Sequence, residues 1–256
     1  MDGKRKIESR RSKILELLRT SGKISVNRLS QLLDVTQVTI RNDLTCLEQE
    51  GRLIRTQGGA SLLPEAMLHE RDGDAVANEP QKRAIGAAIA DMIHDGDTLF
   101  INSGTTSECL ADALRVRKNL NIVTNSLKVA SILGAVPTFR VLLVGGEINA
   151  RFGFTHGGDA QEQLSKYQAD WAVLSVDGIS ARGGITTHHA EEAVIDRMMV
   201  ASAKHPVIAA DSSKLGRAGF SRVCECGKGL RLVTNPDADA ETADLLRDSG
   251  IEILYA

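Results

Sequence analysis

The stretch Thr36-Gln37-Val38-Thr39-Ile40-Arg41-Asn42-Asp43-Leu44-Thr45-Cys46-Leu47-Glu48 decides how the first part of the chain folds. Ile40, Leu44 and Leu47 recur at helical spacing, so one face of the stretch is apolar. Glycine is typical of helix ends, and the first glycine downstream is Gly51. The stretch therefore predicts a helix that buries one face and ends at Gly51.

Two more helices are predicted upstream, from apolar residues at the same spacing. The first stops at Ser21-Gly22 and the second begins after Ser25. Their apolar positions are Ile14, Leu17 and Leu18 in the first helix and Val26, Leu29, Leu32 and Leu33 in the second. A break of three residues, 34–36, separates the second helix from the third. Two helices joined by so short a turn indicate a helix-turn-helix.

A short hairpin is predicted immediately after the third helix. Residues 52–56 have the composition of a strand and run into Gly58-Gly59, and residues 60–63 can return as the partner strand. A hairpin in this position is the wing of a winged helix-turn-helix. The predicted N-terminal domain spans residues 1–62.

The face of the third helix opposite its apolar residues carries groups that can read base edges. Arginine can donate two hydrogen bonds to guanine, asparagine can pair in the same way with adenine, and a valine or threonine methyl can touch thymine. The alternative is a polar face that contacts only water, and an exposed valine counts against it. The candidate DNA-contacting residues are Thr36, Val38, Thr39, Arg41, Asn42 and Thr45, with Arg55 in the wing.

Charge is distributed unevenly along the chain. There are 31 Lys and Arg against 33 Asp and Glu, but residues 1–60 hold 12 basic and 7 acidic residues, which leaves 19 and 26 for residues 61–256. A head of +5 on a body of −7 fits a head that faces a polyanion, and fits a solvated surface equally well. Aromatic residues make up only 3% of the chain, so binding of single strands by base stacking is not expected. Double-stranded DNA is the predicted partner.

Composition and the first residues exclude several other classes of protein. No apolar run approaches the roughly 18 residues of a membrane-spanning helix, and charged residues stand where a secretion signal would be apolar. The four cysteines are too few and too scattered for a disulfide framework or a four-ligand zinc site. A cytoplasmic protein with free thiols is therefore expected, with no metal, no cofactor and no membrane contact.

The character of the sequence changes after residue 81. Residues 63–81 have little periodic apolar character and are predicted to be a linker. Beyond them, short apolar strands alternate with helical segments, which predicts an α/β domain over residues 82–256 built on a Rossmann-like parallel sheet. The predicted strands are residues 98–102, 122–124, 140–144, 171–176, 206–210, 230–234 and 251–254.

Polar and glycine-rich residues follow the predicted strands. Ligands of parallel sheets bind beyond the carboxyl ends of the strands, so these residues are candidates for a binding site. Ser103-Gly104-Thr105-Thr106 lies at a helix start, where backbone N–H groups and hydroxyls can hold a phosphate, although such turns are also common for steric reasons. Asn125, Asp177, Gly184 and Lys214 follow other strands or their turns, and Lys214 could neutralise a phosphate. Together they predict a pocket at one edge of the sheet.

The run from Thr36 to Glu48, with Gly51 and Gly58-Gly59-Ala60, resembles the signature of DeoR-type bacterial transcription regulators. Residues 82–256 resemble the sensor domain of the same family, which is similar in fold to ribose-5-phosphate isomerase. The resemblance implies a homo-oligomeric repressor of a sugar catabolic operon, controlled by a phosphorylated sugar bound to the sensor. It also implies that residues 103–106 match the family's phosphate loop, that Lys214 belongs to its Asp-x-Ser-Lys motif, and that Asn125, Asp177 and Gly184 match its other pocket motifs.

The sequence departs from the family pattern at His188-His189, where many relatives carry an aromatic residue and Asn. These two histidines either bind a carboxylate or hydroxyl of an unusual effector or are ordinary surface residues.

An isomerase with an attached DNA-binding head is the alternative function. Isomerisation needs a positioned base, and in the isomerase relatives an acidic cluster follows the Asp-Gly step. Here Asp177-Gly178 leads into Ile179-Ser180-Ala181, which contains no acid. The sequence therefore predicts a regulator without enzymatic activity.

Overall fold

The structure is a computed structural model of the 256-residue chain. It describes residues 10–11, 13–15, 17–18, 23–49, 53–56, 58–61 and 78–256. The chain divides into two compact units, Met1–Val76 and Ala77–Ala256. Most of the predicted linker lies outside the described residues, as do the predicted helix ends at Ser21-Gly22 and Gly51 and the hairpin residues Arg52, Leu62 and Leu63.

The first unit contains the predicted helix-turn-helix. Helix α1 comprises the described residues between 10 and 18, α2 is Val26–Leu33, and α3 is Gln37–Gln49. The Ser25 hydroxyl caps α2 by accepting a backbone N–H of its first turn. Asp34 ends α2 in the left-handed conformation, with φ of 50°, and the Thr36 hydroxyl accepts a backbone N–H at the start of α3. The turn is therefore built by side chains of its own sequence.

Three short antiparallel strands complete the first unit. β2 (Ile54–Thr56) and β3 (Gly59–Ser61) form the predicted hairpin, and β1 (Lys23–Ser25) pairs with the other side of β3. The hairpin prediction is confirmed for its described residues. The sequence analysis missed β1, because a strand of three residues is too short to show a periodic pattern.

Helix α3 presents one buried polar side chain to the rest of the first unit. Asp43 is 3% exposed, and its two carboxylate oxygens accept hydrogen bonds from Arg10 Nε at 2.6 Å and from Arg11 Nε at 3.2 Å. The core of the first unit contains these fully buried apolar residues: Ile14, Leu18, Leu29, Ile40, Leu44 and Leu47. Two of the arginines that make the head basic therefore fasten α1 to α3.

Replacing Asp43 by Ala should destabilise the first unit by about 1–3 kcal/mol, because two guanidinium groups lose a buried acceptor. Hydrogen exchange of the α3 amides measures this free energy of local opening. Asn42→Ala, at the adjacent exposed position, is the control and should change it by less than about 0.5 kcal/mol. Equal protection in the two variants would contradict the assignment.

The second unit is built on one parallel sheet of seven strands. Across the sheet, the order is β15-β14-β12-β9-β4-β5-β6. The strands are β4 Thr98–Ile101, β5 Asn121–Thr124, β6 Arg140–Leu143, β9 Ala169–Ser175, β12 Ala203–Ala209, β14 Arg231–Thr234 and β15 Glu252–Tyr255. These are the seven predicted strands, with ends that differ from the predicted ones by at most three residues. The predicted α/β class and the parallel sheet are confirmed.

Helices cover both faces of this sheet. They are α4 Glu79–Met92, α5 Thr105–Ala113, a 3₁₀ turn Leu114–Val116, α6 Leu127–Gly134, α7 Gly158–Leu164, α8 Ala190–Ala201 and α9 Ala240–Asp248. Alternate strand residues feed two separate cores: Phe100 and Leu174 pack on the side of α7, α8 and α9, whereas Leu99 and Val173 pack on the side of α4, α5 and α6. Helix α4 begins inside the predicted linker, because Pro80 lies in its first turn, where a missing N–H costs nothing.

Two smaller antiparallel groups of strands were not predicted. β7 (Glu147–Asn149) and β8 (Phe154–His156) form a hairpin after β6. β10 (Gly178–Ser180), β11 (Gly184–Thr187) and β13 (Ser221–Cys224) form a three-stranded sheet. Both groups carry residues that follow the carboxyl ends of the main strands. None of the helices in the described part of the chain is long and apolar enough to cross a bilayer.

Candidate functional site

The outer face of α3 is exposed. Val38 is 63% exposed, and Arg41 and Asn42 are exposed beside it, while Ile40 and Leu44 on the opposite face are fully buried. Of the other residues predicted to contact DNA, Thr36 and Arg55 are exposed and Thr39 and Thr45 are half-buried. The first unit thus presents all seven candidate residues at least partly to solvent.

Hydrogen bonds join the hairpin to α3. Arg55 Nη1 donates to Thr45 Oγ1 at 3.2 Å, and the Arg55 backbone N–H donates to Glu48 Oε1 at 3.2 Å. Arg41 Nη2 donates to Gln37 Oε1 one turn earlier at 3.3 Å. These contacts place a wing arginine beside the third helix, so helix and wing present one polar surface with cationic groups.

The predicted pocket of the second unit is organised around Asn102, at the carboxyl end of β4. This side chain is fully buried. Its Nδ2 donates to the Ser175 carbonyl at 2.9 Å and to Asp196 Oδ1 at 3.1 Å. Its Oδ1 accepts the Ser175 N–H at 2.8 Å and the Ser107 hydroxyl at 3.0 Å. Asn102 therefore links the ends of β4 and β9 to helices α5 and α8.

The loop of residues 103–106 follows Asn102 directly and opens helix α5. Gly104 has φ of 127°, and a Cβ atom there would lie 2.6 Å from Ser175 Oγ, so only glycine fits. Ser103 and Thr106 are buried, and Thr105 is half-buried at the first position of the helix. The unpaired N–H groups of a helix N-terminus attract anions, so the loop can hold a phosphate group.

Two buried carboxyl groups of α8 contact the loop or the residue before it. Glu192 Oε1 accepts the Ser103 hydroxyl, and Glu192 Oε2 lies 3.0 Å from Thr187 Oγ1. Asp196, one turn later, is fully buried against Asn102. Burial raises the pKa of Glu192 to about 7, and the nearby Asp177 adds to this rise, while the Ser103 and Thr187 hydroxyls and His189 oppose it. Burial, followed by the charge of Glu192, also raises the pKa of Asp196.

Asp177 lies on the other side of Thr187. Its Oδ2 accepts the Thr187 hydroxyl at 2.9 Å and the His188 backbone N–H at 2.8 Å. Asp177, Glu192 and Ser103 are therefore connected through two hydroxyl groups. In the described part of the chain, no group of three or more His, Cys, Asp or Glu residues is arranged to hold a metal ion.

The remaining predicted pocket residues have different surroundings. Asn125 is fully buried; its Nδ2 donates to the Thr155 carbonyl at 3.3 Å, and its Oδ1 has no hydrogen-bond partner among the described residues. Gly184 lies in β11, where a Cβ atom would meet the Cys224 carbonyl oxygen at 2.3 Å, so strand packing by itself requires glycine there. Lys214 is half-buried in the 3₁₀ turn Ser212–Lys214 after β12.

The two histidines are half-buried and not exposed. The His189 ring packs on the Phe152 ring with a centroid distance of 4.1 Å, and the Arg151 guanidinium lies 5.1 Å from the centre of the Phe152 ring. His188 contributes its backbone N–H to Asp177. His189 therefore packs against rings of the β7–β8 hairpin, and the choice between a ligand-binding and an ordinary surface role for the two histidines stays a prediction.

Sequence analysis missed Asn102, Glu192 and Asp196. Glu192 and Asp196 lie one turn apart and in phase with the buried Ile195 and Met199, so acids on the apolar face of α8 were the available signal. The absence of an acid directly after Asp177-Gly178 remains true of the sequence. In three dimensions, however, α8 supplies two carboxyl groups to the same place.

Glu192→Gln should stabilise the second unit by about 1–3 kcal/mol at pH 8 and have little effect at pH 5. A carboxyl whose pKa rises on folding contributes stability that is complete below its unfolded pKa of 4.5 and is lost as the pH rises through about 7. Gln stays neutral, so it keeps that stability. Urea unfolding followed by the fluorescence of Trp171, the single tryptophan, measures the difference. Glu191→Gln, exposed next to it, is the control and should match the wild type at both pH values.

Comparison with known proteins identifies both units. Residues 10–65 match the family model of the DeoR-like helix-turn-helix domain, and residues 77–236 match that of the DeoR C-terminal sensor domain. The glycerol-3-phosphate regulon repressor of Escherichia coli K12 is 34% identical over 245 residues, covering 95% of this chain and 97% of the relative. The repressor GlcR of Bacillus subtilis 168 is 33% identical over 249 residues, covering 96% and 95%.

One more repressor and one solved structure are also similar to this chain. The putative aga operon transcriptional repressor of Escherichia coli O157:H7 is 31% identical over 249 residues, covering 96% of this chain and 92% of the relative. The solved structure of ribose 5-phosphate isomerase A from Methanocaldococcus jannaschii aligns with 54% of this chain and 55% of its own, at 13% identity and a TM-score of 0.41, which is too low to support an argument. The two family models and the extent of the repressor matches show that this chain belongs to the DeoR family of transcriptional regulators.

Proposed function

We propose that the protein is a transcriptional repressor that binds operator DNA through its first unit and is controlled by a phosphorylated sugar or sugar derivative bound to its second unit. The observation that carries the DNA-binding part is the exposed face of α3, where an uncovered valine lies beside Arg41 and Asn42. Its relatives are named as repressors, of the glycerol-3-phosphate regulon in one case. The protein would act in the cytoplasm, where operator DNA is found.

The proposed DNA contact uses α3 for base edges and the hairpin for the backbone. Arg41 can donate to guanine and Asn42 can pair with adenine, and the Val38 side chain can touch a thymine methyl group. Arg55, held beside Thr45, would contact a phosphate. Thr36 and Thr39, bonded to each other at 2.9 Å at the start of α3, would lie near the DNA backbone.

The proposed effector site is the loop of residues 103–106 with the residues around it. The helix N-terminus and the Thr105 and Thr106 hydroxyls would hold the phosphate, and Lys214 would neutralise it. Asn125 Oδ1 is buried and has no hydrogen-bond partner among the described residues. It would accept a hydrogen bond from a hydroxyl of the sugar. Asp177 would accept another sugar hydroxyl, whereas Gly184 would shape the pocket through its strand.

Control of DNA binding would work through an oligomer. A homo-oligomer, a dimer or tetramer, would hold two or more heads at the spacing of repeated operator half-sites, and the effector would favour an arrangement that fits the DNA less well. Both the oligomer and the direction of control belong to this proposal.

We infer a regulator and not the alternative isomerase. Three relatives that match nearly the whole chain are named repressors. Glu192 and Asp196 are at most 8% exposed and accept hydrogen bonds from Ser103 and Asn102. A base so enclosed is poorly placed to reach a substrate C–H bond.

Arg41→Ala should weaken binding to the selected operator by about 1–3 kcal/mol and relax the base preference at one position. Arg55→Ala should weaken all sequences alike, because a phosphate contact carries no sequence information. Gel-shift titration on duplexes selected from a random pool measures both effects, with Arg115→Ala in the second unit as an exposed arginine control. Unchanged affinity and base preference in Arg41→Ala would remove α3 from its proposed role.

A phosphorylated sugar should bind the protein, and its unphosphorylated parent should not. Thermal shift over a panel of sugar phosphates identifies the ligand, because binding to the folded state raises its stability. Lys214→Ala and Thr106→Val should then weaken this ligand roughly ten- to hundredfold in calorimetry. The exposed Lys118→Ala serves as the cation control. Equal binding of sugar and sugar phosphate would contradict the proposed site.

Linkage provides a second test of the same proposal. If the effector lowers operator affinity by some factor, operator DNA must lower effector affinity by that factor. Calorimetry with and without the operator duplex measures both. Lys214→Ala should leave operator affinity unchanged in the absence of effector.

A further inference from the structure

The Thr187 hydroxyl contacts two carboxyl groups but has only one proton to donate. Thr187 Oγ1 lies 2.9 Å from Asp177 Oδ2 and 3.0 Å from Glu192 Oε2. A hydroxyl has one proton to donate. Thr187 can therefore donate to one of the two carboxyl groups at a time, and the other contact is a hydrogen bond only when that carboxyl carries a proton and donates it to Thr187.

Glu192 is the better candidate for this proton. Asp177 is half-buried, and its Oδ2 also accepts the His188 backbone N–H, so this oxygen already acts as a hydrogen-bond acceptor. Glu192 is 8% exposed and lies one helical turn from the fully buried Asp196. Burial raises the pKa of Glu192 to about 7, in agreement with the hydrogen-bond count.

The titratable groups that face Glu192 come from three elements. Asp177 follows β9, His189 immediately precedes α8, Asp196 belongs to α8, and Cys224 of β13 interacts electrostatically with Asp196. Two acids therefore raise the cost of a charge on Glu192, and His189 lowers it. The pKa of Glu192 is therefore close enough to neutral pH for the charge of a nearby ligand to change the protonation of this carboxyl group.

We propose that an anion binds the loop of residues 103–106 when Glu192 is protonated, so that effector binding takes up a proton. The geometric basis is the Ser103 hydroxyl, the first polar group of the loop, which donates to Glu192. An anion on the loop and a charged Glu192 would be separated by this single hydroxyl, inside a buried site where charges repel strongly. The inference rests on the proposed effector site and adds that binding at this site weakens as the pH rises.

Sulfate is the probe for this inference, because its charge is the same at pH 6 and pH 8. The full-length protein is titrated with sodium sulfate at both pH values, with sodium chloride at equal ionic strength as the control. The NMR signals of the Gly104, Thr105 and Thr106 backbone amides report binding at the loop itself. The wild type should bind sulfate about tenfold more weakly at pH 8 than at pH 6, because the protonated fraction falls by about that factor.

Two matched variants assign the effect. Glu192→Gln should bind sulfate equally at both pH values, with the wild-type affinity of pH 6, whereas Glu191→Gln should keep the wild-type dependence. A pH-independent wild type overturns the inference, even if Glu192→Gln does not fold, and leaves the effector site standing. A dependence that persists in Glu192→Gln assigns the proton to another group, such as His188 or His189, and overturns it too. Sulfate that shifts no loop amide at either pH refutes both the inference and the proposed anion site.

Discussion

The buried side chain of Asn102 is the contact on which the candidate sensor site depends. An amide in the interior of a protein is tolerated only when its donors and acceptor are satisfied. Here Nδ2 donates to Ser175 and Asp196, while Oδ1 accepts from Ser175 and Ser107. The side chain acts as an extra peptide group between the ends of β4 and β9. Because its orientation is determined by both strands, the residues that follow it have little freedom.

The site above Asn102 combines opposite electrostatic tendencies. The N-terminus of α5 carries a partial positive charge that favours an anion. The carboxyl groups of Glu192 and Asp196 contact Ser103 and Asn102 just before it, in surroundings that disfavour their charged forms. Protonation of Glu192 removes this conflict, since a neutral carboxyl can accept a hydrogen bond from the Ser103 hydroxyl without repelling an anionic ligand. The arrangement couples the occupancy of the loop to the ionisation of buried groups.

Each of the two units buries an aspartate at the contact between its main elements. In the first unit, Asp43 meets two guanidinium groups and joins α1 to α3. In the second, Asp196 meets the neutral amide of Asn102 and joins α8 to the sheet. The difference has a functional consequence. The ion pair lies on the side of α3 opposite its exposed face, whereas the amide contact places a titratable acid beside Asn102, the residue before the loop.

Local patterns in the sequence determined most of the architecture. The spacing of Ile40, Leu44 and Leu47 defined the face that α3 buries, and therefore also the face that it exposes, because helical period relates the two. The seven parallel strands were predictable because each contains a short apolar run. These runs are buried in the inner strands, whereas those of the edge strands β6 and β15 are half-buried. The loop of residues 103–106 was predictable for a related reason: parallel strands leave their polar connections at one edge.

Only the tertiary structure decided which polar groups meet. Asn102 and Asp196 are 94 positions apart, and Ser103 and Glu192 are 89 apart, so no local pattern connects them. The short strands β10, β11 and β13 were not predictable either. They form by pairing with one another, and their sequences show no periodic pattern. The ionisation of Glu192 was beyond sequence analysis for the same reason: burial and the groups that surround a carboxyl set its pKa, and both exist only in the folded chain.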